Sequence, residues 1–197
     1  MSFHSVVPPP LTLLRGVRKV EPATYVEIEP DGSMRATRYW SLDFDAKPER
    51  TEREHEEAVL EALRLAVKRR LVADVPVGVL LSGGLDSSLV VGLLAEAGQT
   101  GLSTFSIGFE SAGDEKGDEF EYSDIIAREF GTDHHKLLVS SDTVLPNLRR
   151  CVRAMSEPMV SHDNIGFFLL SAQVSKHVKV VQSGQGADEV FGGYHWY

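Results

Sequence analysis

A run of small and polar residues follows the apolar segment 78–81 and could bind an anion. It reads SGGLDSS, from Ser82 to Ser88. Glycines let a backbone turn sharply and expose its N–H groups, and a helix that follows adds free N–H groups at the positive end of its dipole. A tight turn with serine and aspartate capping a helix is the alternative interpretation. The full run at a strand-to-helix junction favours phosphate.

The run differs from better-known phosphate motifs. A Walker A loop needs a lysine near its end, and no lysine lies between Arg70 and Lys116. The dinucleotide fingerprint G-x-G-x-x-G is absent, and neither serine after Asp86 lies in a G-x-S-x-G elbow. Asp86 stands in place of the lysine. A carboxylate would repel phosphate, so a cation must lie between them, and Mg²⁺ is the natural choice.

The flanking sequence predicts the elements that position this loop. Apolar strand patterns alternate with helical patterns, which predicts an α/β fold with a parallel sheet and helices on both faces. Ligands bind beyond the carboxyl ends of such strands, where two glycine-containing turns (81–84 and 182–186) are expected. The predicted strands are 77–81, 102–109, 134–140 and 178–184, and the predicted helices are about 51–71, 86–97, 118–130, 141–155 and 164–177. Asp118 is the expected cap of the third helix, after a mobile acidic loop at 111–119.

The N-terminal residues follow a different pattern. Residues 24–44 alternate apolar and polar residues around Pro30-Asp31-Gly32, which predicts a β-hairpin. A hairpin alone is marginal in water, so it must pack on something else. The polar stretch from Phe44 to Thr51 suits a linker.

The composition narrows the class of protein. The chain has 197 residues, 42% of them hydrophobic, with a net charge of −9 and one cysteine, Cys151. A single cysteine excludes an internal disulfide and favours a reducing cytoplasm. No signal peptide or membrane-spanning run is expected, and the negative charge disfavours nucleic acid as a partner.

Two motifs carry a resemblance to a known family. SGGLDSS resembles the PP-loop of the ATP pyrophosphatases, which cut ATP between its α- and β-phosphates. Together with VVQSGQGADEVFGGYHWY, it resembles the synthetase domain of the glutamine-hydrolysing asparagine synthetases and related amidotransferases, over about Ala58–Tyr197. In that family the second motif usually reads SGEGSDEVFGGY. The resemblance implies an adenine nucleotide alpha-hydrolase-like fold at 46–197, preceded at 1–45 by a short β remnant of a glutaminase domain and a linker.

The resemblance also implies roles for individual residues. Asp86 and Asp188 would bind Mg²⁺, and with Gln185 they form the expected catalytic set. The implied ATP contacts are Leu81, Ser82, Gly83, Gly84, Asp86, Ser87, Ser88, Ile107, Gly108, Ser183 and Gly184.

The implied chemistry is ATP-dependent amide synthesis by a carbon–nitrogen ligase. A substrate carboxylate attacks the α-phosphorus to give an acyl-adenylate and pyrophosphate, and ammonia from glutamine then displaces AMP. Positioning and electrostatics dominate such catalysis. The implied partners are a carboxylic acid, either aspartate or a glutamine dipeptide, and glutamine or ammonia; a homodimer of the full-length protein is also left open.

Gln185 departs from the family pattern. Asparagine synthetases usually carry a glutamate there that faces the acyl-adenylate and the ammonia, and a neutral amide cannot take a proton from ammonium. Either another base acts or the acceptor is not aspartate. His162-Asp163-Asn164 resembles amidotransferases that act on a modified dipeptide, such as the N-acetylglutaminylglutamine enzymes.

The ends of the sequence also depart from the family. The glutaminase nucleophile is an N-terminal cysteine, but residue 2 is Ser2, and the family's catalytic lysine would follow Tyr197. The chain is therefore expected to be a fragment with little synthetase activity of its own, and a non-catalytic nucleotide-binding module is the alternative.

Smaller signals favour structural roles. His134 and His135 are neighbours on a predicted strand and should point to opposite faces, so they should not chelate one ion. Cys151 is expected in a helix core, and the segment Phe167–Leu170 is expected to be helix core as well.

Overall fold

The computed structural model describes residues 7–44, 49–110, 120–157, 159, 161 and 163–195. The chain forms two compact units, one of residues 1–50 and 152–162 and one of residues 51–151 and 163–197. Across these described residues, each helix is too short or too polar to cross a membrane.

The smaller unit contains the predicted β-hairpin. Strands β1 (Thr24–Ile28) and β2 (Met34–Arg38) pair antiparallel. The turn between them places Gly32 at a φ of +86°, in the left-handed region that favours glycine. The hairpin prediction is confirmed. The assignment of residues 1–45 to a glutaminase remnant and 46–197 to a synthetase domain stays a prediction.

The larger unit is built on four parallel strands in the order β5-β4-β3-β6. The parallel sheet with helices between its strands confirms the predicted fold class. Its elements are α1 (Glu52–Arg69), β3 (Val77–Leu80), α2 (Leu85–Glu96), β4 (Ser103–Phe109), α3 (Phe120–Glu129), β5 (Asp133–Val139), α4 (Ser141–Ala154), α5 (Asp163–Val174), β6 (Val180–Gln182) and α6 (Ala187–Phe191).

Helix α1 begins at a capping box that the sequence predicts. Thr51 N–H donates to Glu54 Oε2 at 2.7 Å, and Glu54 N–H donates to Thr51 Oγ1 at 3.4 Å. These bonds satisfy backbone donors that a helix start leaves unpaired.

Apolar side chains cover both faces of the sheet. On one face, α1, α2 and α3 pack against β3 in a cluster that includes Val67, Val79, Leu94 and Ala127. On the other face, α5 packs in a cluster that includes Phe105 and Leu170. Alternation along each strand produces this division.

Two of the predicted features differ from the structure. Strand β6 has three residues rather than seven, because its register with β3 extends only from Val180 to Gln182. The five-residue α6 follows it, a helix that the predicted elements do not include. The expected loop at 111–119, its cap Asp118, and His162 lie outside the described residues.

The neighbouring histidines point to opposite faces, as predicted. His134 Nδ1 lies 2.8 Å from Thr104 Oγ1 on the face that carries α3. The ring of His135 stacks on Phe105 with a centroid distance of 5.0 Å, on the α5 face. Cys151 is buried within α4, which confirms its expected core position.

Candidate nucleotide site

The first loop, Ser82–Gly84, turns the chain from β3 into α2. Gly83 has a φ of +90°, and a Cβ built on it would lie 2.5 Å from Ser123 N and 2.6 Å from Tyr122 Cβ. Both the backbone angle and the close approach of α3 therefore require glycine. The loop is held directly against the start of α3.

Helix α2 begins at a glycine N-cap, Gly84, and has no side-chain cap within the described part of the chain. Ser88 N–H and its hydroxyl both donate to Gly84 O, at 3.1 and 2.7 Å. Uncapped amides at the positive end of a twelve-residue helix suit an anion.

Hydroxyl groups fix the shape of the first loop. Ser82 Oγ and Ser87 Oγ lie 3.0 Å apart, and Ser82 N–H donates to Ser87 Oγ at 3.2 Å. Gly84 N–H donates to Ser82 Oγ at 3.2 Å, and Ser87 is buried. These bonds order the loop before any ligand binds. The entropic cost of ordering the backbone on binding would therefore be smaller.

The second loop, Ser183–Gly186, follows β6 and lies against the first. A Cβ built on Gly184 would lie 2.7 Å from Asp86 Cβ and 2.9 Å from Ser87 N. Such distances leave no room for a side chain, so glycine permits the two loops to touch. The neighbouring strands β3 and β6 bring both loops to the same edge of the sheet.

Asp188 occupies the first turn of α6, four residues after Gly184. Gly193 N–H donates to Asp188 O at 3.0 Å. A Cβ built on Gly193 would lie 3.0 Å from Asp188 Cγ and closer still to Asp188 Oδ1. The glycine after α6 therefore lets the chain fold back onto this carboxylate.

The two loops surround an open pocket with a volume of about 290 Å³. Asp86 and Asp188 both line it, so the two carboxylates share one cavity at the carboxyl edge of the sheet. Its polar wall consists of Ser82, Asp86, Ser87, Ser106, Ser183, Gly184, Gln185, Gly186 and Asp188. Its apolar wall consists of Leu80, Leu81, Phe105, Ile107, Phe167 and Leu170. A pocket with hydroxyls, amides and carboxylates on one side and apolar side chains on the other suits a phosphate ester with a planar apolar part.

The pocket offers two carboxylates as ligands for the expected Mg²⁺. Within the described ranges, no group of three or more His, Cys, Asp or Glu residues is placed to hold a metal ion. Two carboxylates are nevertheless the usual protein share of a Mg²⁺ site whose other ligands are water and substrate phosphates. Asp86 and Asp188 fit that arrangement.

Most of the site residues predicted from sequence do meet at this pocket. Those in its wall are Leu81, Ser82, Asp86, Ser87, Ile107, Ser183, Gly184, Gln185 and Asp188. Gly83, Gly84 and Ser88 lie beside it in the first loop and first turn of α2, and Gly108 is buried in β4. Their predicted contacts with ATP stay predictions.

Sequence reasoning missed part of the apolar wall. Phe167 was expected in the helix core but is 45% exposed and lines the pocket, whereas Leu170 is buried as expected. An apolar run such as Phe167–Leu170 does not indicate which of its members faces a cavity. Ser106, which is 4% exposed, was also missed. A polar residue inside the apolar strand pattern of β4 was the available signal.

Comparisons with known proteins show which sequences this chain resembles. The family model for asparagine synthase matches residues 58–197. The chain is 36% identical over 198 residues to asparagine synthetase [glutamine-hydrolyzing] 1 of Bacillus subtilis, covering 100% of this chain and 30% of that protein. It is 30% identical to amidase chyE of Penicillium rubens, covering 93% of this chain and 30% of that protein.

The chain thus spans about 30% of the length of these curated relatives. Among solved structures, the NH3-dependent NAD synthetase from Campylobacter jejuni matches with a TM-score of 0.44 and 16% identity. That match covers 74% of this chain and 61% of the other.

Proposed function

The chain belongs to the asparagine synthase family, and on that premise we propose that its pocket binds ATP with Mg²⁺ for the synthesis of an amide. A carboxylic acid would attack the α-phosphorus to form an acyl-adenylate and release pyrophosphate. Ammonia derived from glutamine would then attack the acyl carbon and release AMP. The cytoplasmic location and a homodimer stay predictions.

One observation carries the proposal. The first and second loops meet around a single pocket, with the glycine at position 184 in contact with Asp86. Two loops that approach so closely place backbone amides, hydroxyls and two carboxylates around one ligand. That combination suits a triphosphate with its cation better than an uncharged ligand. The backbone amides can bind phosphate oxygens, and a cation between the carboxylates and the phosphates would offset their repulsion.

Different parts of the pocket would bind different parts of the nucleotide. The uncapped first turn of α2 would hold phosphate oxygens, and the hydroxyls of Ser82 and Ser87 would keep the loop in the geometry that this requires. The apolar wall, including Ile107 and Phe167, would exclude water from the less polar part of the nucleotide. Mg²⁺, when bound, would be held by Asp86 and Asp188 and would neutralise charge on the phosphates.

The acceptor acid is the open part of this function. Gln185 lines the pocket with a neutral side chain, where a glutamate could remove a proton from ammonium. This observation favours an acceptor other than aspartate, such as a glutamine dipeptide. Gln185→Glu should shift the preference among acceptor acids if this residue faces the acyl group.

Two measurements test the function. Equilibrium binding of Mg-ATP to the chain tests the pocket, and ATP–pyrophosphate exchange by the protein that carries this sequence, with a panel of carboxylic acids, tests activation. Asp86→Asn should abolish exchange, whereas Asp142→Asn, a matched carboxylate in the first turn of α4, should leave it unchanged. Mg-ATP binding without exchange for any acid would favour the non-catalytic nucleotide-binding alternative.

A further inference from the structure

A cluster of buried polar side chains lies beneath the first loop, on the α3 face of the sheet. Thr104 and Ser123 are fully buried, Ser106 is 4% exposed, and the His134 side chain is 9% exposed. Buried polar groups destabilise a fold unless they are hydrogen-bonded, so this cluster must have defined partners.

The hydrogen bonds around His134 fix where its ring carries hydrogen. Ser106 Oγ donates to Leu81 O, and Ser123 Oγ donates to Phe120 O at 3.1 Å. Each hydroxyl has one hydrogen, so both serine oxygens can only accept from His134 Nε2, which lies 3.4 and 3.3 Å away. Nε2 therefore carries a hydrogen shared between the two serines.

The other ring nitrogen accepts. Thr104 Oγ1 lies 2.8 Å from His134 Nδ1 and 2.8 Å from Thr132 Oγ1. In the neutral ring, Nδ1 accepts a hydrogen bond from the Thr104 hydroxyl, and the Thr132 hydroxyl donates to Thr104 Oγ1. Asp124 Oδ1, 3.9 Å from Nε2, also favours a hydrogen on that nitrogen.

Both serines support the first loop directly. Leu81 O and Ser82 N belong to one peptide group, whose carbonyl accepts from Ser106 Oγ and whose amide donates to Ser87 Oγ at 3.2 Å. Ser123 N is the atom nearest to a Cβ built on Gly83. His134 therefore contacts the two residues that fix the start of the loop.

We propose that His134 is a positioning residue for the nucleotide loop, which acts by donating Nε2–H to Ser106 and Ser123 without lining the pocket itself. The effect on ATP rests on the proposed function, whereas the effect on loop geometry does not. Reorientation of the Leu81–Ser82 peptide would move the amides at the base of the loop and Ser82, which lines the pocket.

The test compares two amide replacements with a neighbouring control. The Nε2 of a glutamine reaches about as far as the imidazole Nε2, whereas an asparagine reaches only as far as Nδ1. We expect His134→Asn to speed amide hydrogen exchange at Ser82 and Gly83 by about tenfold relative to the amides of β5. We also expect it to weaken Mg-ATP binding by about tenfold. Each change is about the size expected from the loss of one hydrogen bond. His134→Gln should restore most of both values. His135→Asn, on the opposite face, should change neither.

Each outcome decides a separate question. Two results would overturn the positioning role. In the first, amide exchange in His134→Asn rises by the same factor in the loop as in β3, β4 and β5. In the second, the asparagine and glutamine variants show equal exchange rates and equal Mg-ATP affinities. If the unaltered chain binds no Mg-ATP, the proposed function fails while the exchange comparison still decides the role of His134. If His134→Asn does not fold, Ser106→Ala removes the same link to Leu81 O and should give the same local increase at Ser82.

Discussion

The two loops at the carboxyl edge of the sheet hold their shape by different means. The first loop is ordered by hydroxyl bonds among Ser82, Ser87 and the backbone, and it leads into the twelve-residue helix α2. The second loop leads into the five-residue α6, and its position depends on close packing of Gly184 against Asp86. The first loop is thus ordered largely from within, and the second by contact with the first.

This difference separates two contributions to a ligand site. On the proposed function, hydrogen bonds within the first loop would preorganise amides for an anion, so their loss should weaken binding moderately. Steric contact of Gly184 with Asp86 limits how closely the two loops approach. A displacement there would move the Asp86 and Asp188 side chains relative to each other and should weaken binding more. Substitutions at the two loops can therefore be ranked.

The largest effect is expected for Gly184→Ala. The new methyl would overlap Asp86 Cβ and Ser87 N, so one loop must move away from the other. A shift of about 1 Å at such a site can reduce function about a hundredfold, and the strain should lower the free energy of unfolding by about 1–3 kcal/mol. Mg-ATP affinity by calorimetry and stability by urea unfolding measure both effects.

Gly92→Ala is the matched control for this substitution. A Cβ at that position in α2 would meet the ring of Phe130, at 3.4 Å from Cζ and 3.9 Å from Cε1. It should leave Mg-ATP affinity unchanged and preserve or raise stability, since alanine favours helices. Equal affinities for Gly184→Ala and the control would show that contact between the loops does not set the site.

A smaller effect is expected for Ser87→Ala in the first loop. This substitution removes the acceptor of the Ser82 N–H bond and the partner of the Ser82 hydroxyl. We expect Mg-ATP binding to weaken about tenfold and stability to fall by about 1–2 kcal/mol. Ser88→Ala should cost less, because Gly84 O keeps its bond from Ser88 N–H. Identical affinities for both serine variants, measured by calorimetry, would contradict the internal ordering of this loop.

The smallest effect concerns pH. Burial lowers the pKa of His134 below its ordinary value of 6.5, and the Asp124 carboxylate only partly opposes this. The unfolded chain therefore binds the proton more readily, so the stability that this group contributes is present above pH 6.5 and is lost as pH falls through the lowered pKa. The free energy of unfolding in urea should be lower at pH 6 than at pH 7.5. His134→Gln should reduce this difference.

A second group titrates in a separate range. The hydrogen bond from Lys136 lowers the pKa of Asp124 below 3.8, so its contribution is lost only as pH falls below that value. For the histidine, the free energy of unfolding of His134→Gln is compared with that of the unaltered chain between pH 7.5 and pH 6. An equal pH dependence in both proteins would contradict its assignment to His134.

Local patterns predicted most of the larger unit. The apolar segment before Ser82, the glycines and the apolar pattern after Asp86 define β3, the first loop and α2 within one residue at each boundary. Alternation around Pro30-Asp31-Gly32 likewise predicted the hairpin. These features depend on residues close in sequence, which is why a single sequence reveals them.

Features set by distant residues were less predictable. The adjacency of β3 and β6 joins the loops, but strand order is fixed by packing of the whole sheet rather than by either segment. Helix α6 is too short to show a helical period between its flanking glycines. The exposure of Phe167 depends on the cavity opposite it, which no local pattern encodes.

The most direct test of the central claim is a double-mutant cycle on the two carboxylates. Mg-ATP affinity is measured for the unaltered chain, for Asp86→Asn, for Asp188→Asn and for the double variant, each with and without Mg²⁺. If both side chains hold one cation, either replacement should remove most of the Mg²⁺ dependence, and the double variant should be little weaker than the single variants. Losses that add fully in the double variant, or an ATP affinity of the unaltered chain that does not depend on Mg²⁺, would contradict a shared ion.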